Sequence, residues 1–162
     1  MPTVRLSFSP AAAHVRTARL VGVAVARRAG VAEELLEEVR LAIGEACSRA
    51  VALHRSHGLD DLVDVAMADG DRFTVRVVDR AANGAIAARL GGEAGDEDSV
   101  MVLSDPALPL TTPPELLAEE AVAARMGLAL LAGLVDDLNV SELAEGVGTE
   151  VRMSWPLDRP AE

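Results

Sequence analysis

Glu45 and Arg49 stand four residues apart in the run Glu38 to His54, where Val39, Ala42, Ile43, Ala46 and Ala50 recur at helical spacing. On an α-helix that interval puts both side chains on one flank of the apolar stripe. The ordinary reading of the two is a helix-surface ion pair in the favourable Glu-then-Arg order, contributing roughly 0.3–0.5 kcal/mol. A second carboxylate, Asp79, closes an apolar strand pattern and is followed by Asn83 and Gly84. Arg125 precedes Gly127 in a helical stretch, and Gly148-Thr149 opens the last strand pattern. The guanidinium groups of Arg49 and Arg125 match phosphate oxygens well.

Other reactive side chains form no constellation. His14, His54 and His57 are scattered, and His54 with His57 lacks a third metal ligand nearby; a histidine at a helix C-terminus is favoured by the helix dipole. Cys47 lies beside the apolar stripe and reads as a small core residue. No Gly-x-Ser-x-Gly elbow, Walker loop or Cys-x-x-Cys occurs.

The elements that must position these residues follow from the patterning. Thr3 to Phe8 alternates as a strand, and Ser9-Pro10 ends it and can begin a helix over 12–29, with Gly30 at its C-terminal cap. A second helix runs from Ala32 to His54, its first turns crowded with Glu33, Glu34, Glu37 and Glu38. Leu62 to Met67 and Phe73 to Val78 flank Ala68-Asp69-Gly70-Asp71 as a hairpin. Residues 80–112 follow no period, and 91–112 reads as a lid-like segment. Pro113-Pro114-Glu115 opens a helix to about Leu134, and strands near Leu138–Leu143 and Thr149–Pro156 finish the chain. Strands do not alternate strictly with helices. The expectation is an α+β two-layer sandwich, a mixed and largely antiparallel sheet with one face covered by about three helices.

The whole chain, 162 residues with half of them hydrophobic, fits one folded domain over 1–162. Acidic residues outnumber basic ones 26 to 15, giving a net charge of −11, and every basic residue is arginine. Such a surface repels phosphate backbones, which argues against DNA or RNA as a direct partner and favours a protein with a basic surface. With one cysteine there is no internal disulfide. No apolar run reaches the ~18 residues of a membrane span, and the opening residues show no signal-peptide pattern, so a cytoplasmic protein is expected.

Four segments taken together and in this order resemble the GHKL ATP-binding fold, in particular the bacterial anti-sigma factors of the serine-protein-kinase type. They are Glu38 to His54 around Glu45, the strand ending Val77-Val78-Asp79, Arg125-Met126-Gly127-Leu128, and Gly148-Thr149 through Leu157. The likeness spans nearly the whole chain, with 91–112 where the family carries its lid over ATP. It implies that Glu45 is the residue that orients or activates the attacking hydroxyl. Arg49 stands where the family has the Asn that holds magnesium, and a guanidinium has donors only. Asp79 matches the carboxylate that reads the adenine amino group, but Ala81 and Asn83 replace the glycines after it, with Gly84 one position further on. Gly127 matches one glycine of the pair that opens the helix beneath the phosphates, and Arg125 replaces the other. Thr149, after Gly148, matches the threonine on the adenine side.

The cofactor positions implied are therefore Asp79, Asn83, Gly84, Arg125, Gly127, Thr149 and Arg49, with ATP in question and magnesium not expected. As function, the resemblance implies an anti-sigma regulatory factor. It would sequester an alternative sigma factor, be released by a STAS-type anti-anti-sigma antagonist, and commonly form a homodimer, with kinase activity weak or lost. Two alternatives stay open at this point: an active ATP-dependent serine kinase acting on the antagonist, and a sensor binding a phosphorylated metabolite in the former ATP pocket.

Overall fold

β1 (Thr3–Phe8) leads into α1 (Ala12–Ala29), which ends at Gly30 in a left-handed conformation, φ +98°. There the Gly30 N–H reaches the Ala26 and Arg27 carbonyls, and Arg27 and Arg28 complement the helix dipole. Ser9 and Pro10 do not cap this helix. The N-cap is Ala11 in an extended conformation with no side-chain hydrogen bond, and its N–H donates to the Ser9 carbonyl at 2.7 Å. A 3₁₀ turn over Glu33–Leu35 then feeds α2 (Leu36–Ser56). α2 runs two residues past the expected His54 because Ser56 Oγ and His57 Nδ1 both donate to the Leu53 carbonyl, at 3.0 and 2.9 Å.

The computed structural model describes residues 3–81 and 126–158. The lid-like segment 91–112, the helix opening at Pro113, and Asn83, Gly84 and Arg125 lie outside these described residues.

Four further strands, β2 (Val63–Asp69), β3 (Arg72–Asp79), β4 (Asp137–Glu142) and β5 (Thr149–Pro156), join β1 in a sheet of order β1-β2-β3-β5-β4. All four pairings are antiparallel, so the described sheet is not mixed. The cause lies between β1 and β2. A single crossover helix would give a parallel neighbour, whereas two antiparallel helices return the chain to the end where β1 finished, and β2 must run back. Residues 126–134 are helical and are called α3.

The alternating pattern resolves into cross-strand rows. Leu6, Val65, Val77, Val151 and Val140 pair across all five strands, and Val4, Met67, Val75, Met153 and Leu138 form the next row on the same face. The helices cover this face, and the three inner strands bury these side chains almost completely. Each fully buried aliphatic side chain contributes ~1.5–3 kcal/mol relative to exposure, so these rows dominate the drive to fold. α1 and α2 approach closely where Gly22 meets the Ile43 side chain and Gly44 lies under the Arg19 guanidinium; a Cβ at either glycine would collide. α3 adds Leu128 and Leu131, with Val135 just beyond it.

Trp155 is buried beside Phe73, with ring centroids 6.0 Å apart. Its indole N–H donates to Glu38 Oε1 at 2.7 Å, tying β5 to α2. Among the described residues no helix is long and apolar enough to cross a membrane.

Candidate functional site

α2, the end of β3 and the start of β5 converge at one end of the sheet. Asp79 and Thr149 are direct cross-strand partners, so their side chains share the helix-facing side of the sheet. Both are buried, at 1% and 0% exposure. From α2, Arg49 reaches across and its Nη1 donates to Asp79 Oδ2 at 2.9 Å. The other carboxylate oxygen of Asp79 accepts the Ala81 N–H at 3.0 Å.

This overturns the local pairing expected from the four-residue spacing: Arg49 pairs with Asp79, not with Glu45. An exposed i,i+4 pair gains little, whereas a guanidinium and a carboxylate that are both buried must find each other or lose several kcal/mol of solvation unrecovered. Glu45 is left half-buried, with no hydrogen bond or ion pair among the described residues. It faces α3, since a Cβ on Gly127 would lie 3.7 Å from Glu45 Oε2 and 3.8 Å from Arg49 Cβ. The sequence-derived positions Glu45, Arg49, Asp79, Gly127 and Thr149 are thus drawn together by three contacts: Arg49 with Asp79, Asp79 with Thr149 across β3 and β5, and α2 with Gly127.

Two neighbours set the geometry. Gly148 adopts φ +138°, and a Cβ there would collide with the Asp79 carbonyl oxygen. Only glycine allows β5 to begin this close to the end of β3. His54, fully buried, holds the other side: its Nε2 accepts the Arg80 N–H at 2.8 Å and its Nδ1 donates to the Asp61 carbonyl at 2.9 Å. These bonds fix a neutral imidazole with the hydrogen on Nδ1, so the favourable positive charge expected of a histidine at the helix C-terminus does not apply to His54. Its role was readable in principle, because the place four residues after Ala50 puts it on the buried stripe, where an imidazole needs two partners.

Cys47 behaves as the sequence indicated. Burial pushes its thiol up to about 12 despite the opposing pull of the Arg19 charge.

Three buried polar atoms in the cluster have no hydrogen-bond partner among the described residues: Arg49 Nε, Arg49 Nη2 and Thr149 Oγ1. A surface-exposed atom without a protein partner is served by water, but a buried one is an open valence.

The model of the histidine kinase-like ATPase domain matches residues 8–155. The chain belongs to this family. No curated protein matches the sequence. The family implies ATP with magnesium, and Arg49 fits the metal poorly. The position that the resemblance matches to the magnesium ligand holds a guanidinium, which offers no lone pair to a cation, while each oxygen of Asp79 accepts one hydrogen bond inside the protein and keeps further acceptor capacity. The open atoms at the same place are donors, together with one hydroxyl, and they suit an anion.

Proposed function

We propose that this histidine kinase-like protein is an anti-sigma regulatory factor acting by protein contact. It holds an alternative sigma factor and gives it up to a STAS-type antagonist, without the phosphotransfer on which kinase members of the family rely. The single observation that carries the loss of chemistry is the buried Arg49–Asp79 ion pair, which occupies both the metal-ligand position and the adenine-reading carboxylate. Glu45 keeps the type and place of a base, but a base without a metal-held phosphate beside it transfers nothing.

The net charge of −11 supports a partner with basic surface, since complementary fields speed capture and disfavour nucleic acid. The working form in this reading is a cytoplasmic homodimer. The test is size-exclusion chromatography of the chain mixed with each alternative sigma factor of its source genome, repeated after adding the STAS-type antagonist and labelled ATP. Co-elution with one sigma factor, displaced by an antagonist that remains unlabelled, is the expected result. Labelled phosphoserine on the antagonist would instead establish the active-kinase alternative.

A further inference from the structure

The face of the sheet turned away from the helices carries a row of positive charge. Arg5, Ala66, Arg76, Arg152 and Asn139 pair across all five strands, each one residue before or after a member of the Leu6–Val140 row. Side chains alternate along a strand, so this row points outward. Its three arginines are all exposed. Arg76 and Arg152 are direct cross-strand partners, and like charges so placed destabilise a sheet.

The acids on this face do not neutralise the row. Glu150 approaches Arg76 at 3.9 Å, while Asp64 and Asp137 turn to Arg80 and Arg72, each at 3.6 Å. Arg5 and Arg152 have no ion pair or hydrogen bond among the described residues. A trough of about 460 Å³ lies along the face, with the small side chains of Ala66 and Ala68 in its lining. That lining holds four arginines against Asp71 and Asp137, in a chain whose net charge is −11.

A row of guanidinium groups suits carboxylates. Neighbouring strands lie ~4.8 Å apart, so the row from β1 to β5 spans about 14 Å, the length of about five residues of extended chain. Two copies laid face to face would set arginine row against arginine row. A nucleic acid, longer than the trough, would meet the acidic remainder of the molecule.

We propose that the row of Arg5, Arg76 and Arg152 on the open face of the sheet is a docking surface for an extended acidic segment of a partner protein. The segment supplies the counter-charges that Arg5 and Arg152 lack, and it relieves the repulsion between Arg76 and Arg152. The surface lies across the sheet from the Arg49–Asp79 cluster and does not depend on what that cluster binds.

The test is fluorescence polarisation of a labelled hexaglutamate peptide titrated with the full chain at physiological ionic strength. Arg5→Ser with Arg152→Ser removes two charges that make no internal bond among the described residues. Arg16→Ser with Arg28→Ser removes as many from exposed positions of α1, on the opposite side of the sheet. The expected result is saturable binding that weakens at least ~tenfold in the first pair and less than ~twofold in the second. Thermal unfolding of the first pair should be unchanged or raised, because Arg76 then faces no like charge. If that pair fails to fold, Arg5→Ser alone, on the edge strand, carries the comparison with a loss of at least ~threefold.

No saturable binding, or equal weakening in both pairs, would overturn the surface. Tighter binding of a thymidine oligonucleotide of equal charge would overturn the peptide as occupant in favour of nucleic acid. Self-association that the first pair abolishes would assign the face to a second copy instead. Binding gained only after Glu93, Asp96, Glu97 and Asp98 are replaced by their amides would assign it to this chain's own acidic run.

Discussion

The guanidinium of Arg49 lies against the carboxylate of Asp79, thirty residues later in the chain, and not against Glu45 one helical turn before it. That one contact joins α2 to the end of β3 and pairs two positions that the resemblance assigns to the cofactor.

The pair is worth little as a stabilising device and much as a mutual obligation. Arg49→Ala or Asp79→Ala each leaves a buried charge unmatched, and each is expected to cost about 3–5 kcal/mol. Arg49→Met with Asp79→Asn removes both charges and should recover most of that loss. Urea unfolding of the three variants decides it; strictly additive losses would show that the two groups do not answer one another.

Gly148 and Gly127 are expected to part company on substitution. Gly148→Ala forces a side chain into a left-handed φ and against the Asp79 carbonyl, with a loss of about 1–3 kcal/mol or more. Gly127→Ala places a methyl in ordinary contact with Glu45, within a helix where alanine is favoured by roughly 0.8–1.0 kcal/mol, and should leave stability unchanged or raised. Thermal unfolding of the two variants side by side reads the contrast.

The only tryptophan reports on the α2–β5 tie. Glu38→Ala strands the indole N–H in the core, with an expected loss of about 1–3 kcal/mol and a changed Trp155 emission in the folded state. An emission spectrum identical to the parent would show that the hydrogen bond does not form in solution.

Much of this was legible before any coordinates. The apolar alternation of β2, β3 and β5 and the 3.6-residue stripe of α2 report burial directly, and burial is what the structure then satisfies. Asp79 and Thr149 also sit at the strand ends that the pattern itself marks, the last residue of β3 and the first of β5. What could not be read was partnership across space. Glu45 and Arg49 share a helix face, so spacing favours their pairing. The competing partner of Arg49 becomes a neighbour only once the sheet has formed, and desolvation rather than spacing makes it win. Glu38 with Trp155 and His54 with Arg80 are long-range bonds of the same kind. The antiparallel course of β1 is likewise set by two helices turning back, a property of the assembly rather than of the strand.

Cys47 gives a pH signature with a definite sign. An unfolded thiol loses its proton near the ordinary value of 9.0, while the folded one keeps it to about 12. The folded state therefore binds the extra proton, and stability is present below pH 9 and falls as pH rises from there toward 12. Cys47→Ala should flatten that decline, measured by urea unfolding across the alkaline range. In the native protein at neutral pH the thiol should resist alkylation and become reactive only on unfolding.

The most direct test of the closed site is calorimetric titration of the unaltered chain with ATP, once with magnesium and once with EDTA. A site ruled by Arg49 and Asp79 binds no more tightly with magnesium than with EDTA, since the guanidinium of Arg49 has no lone pair to offer the metal. Binding that appears or tightens markedly only with magnesium would contradict it, and would return Glu45 to the role of a working base in an active kinase.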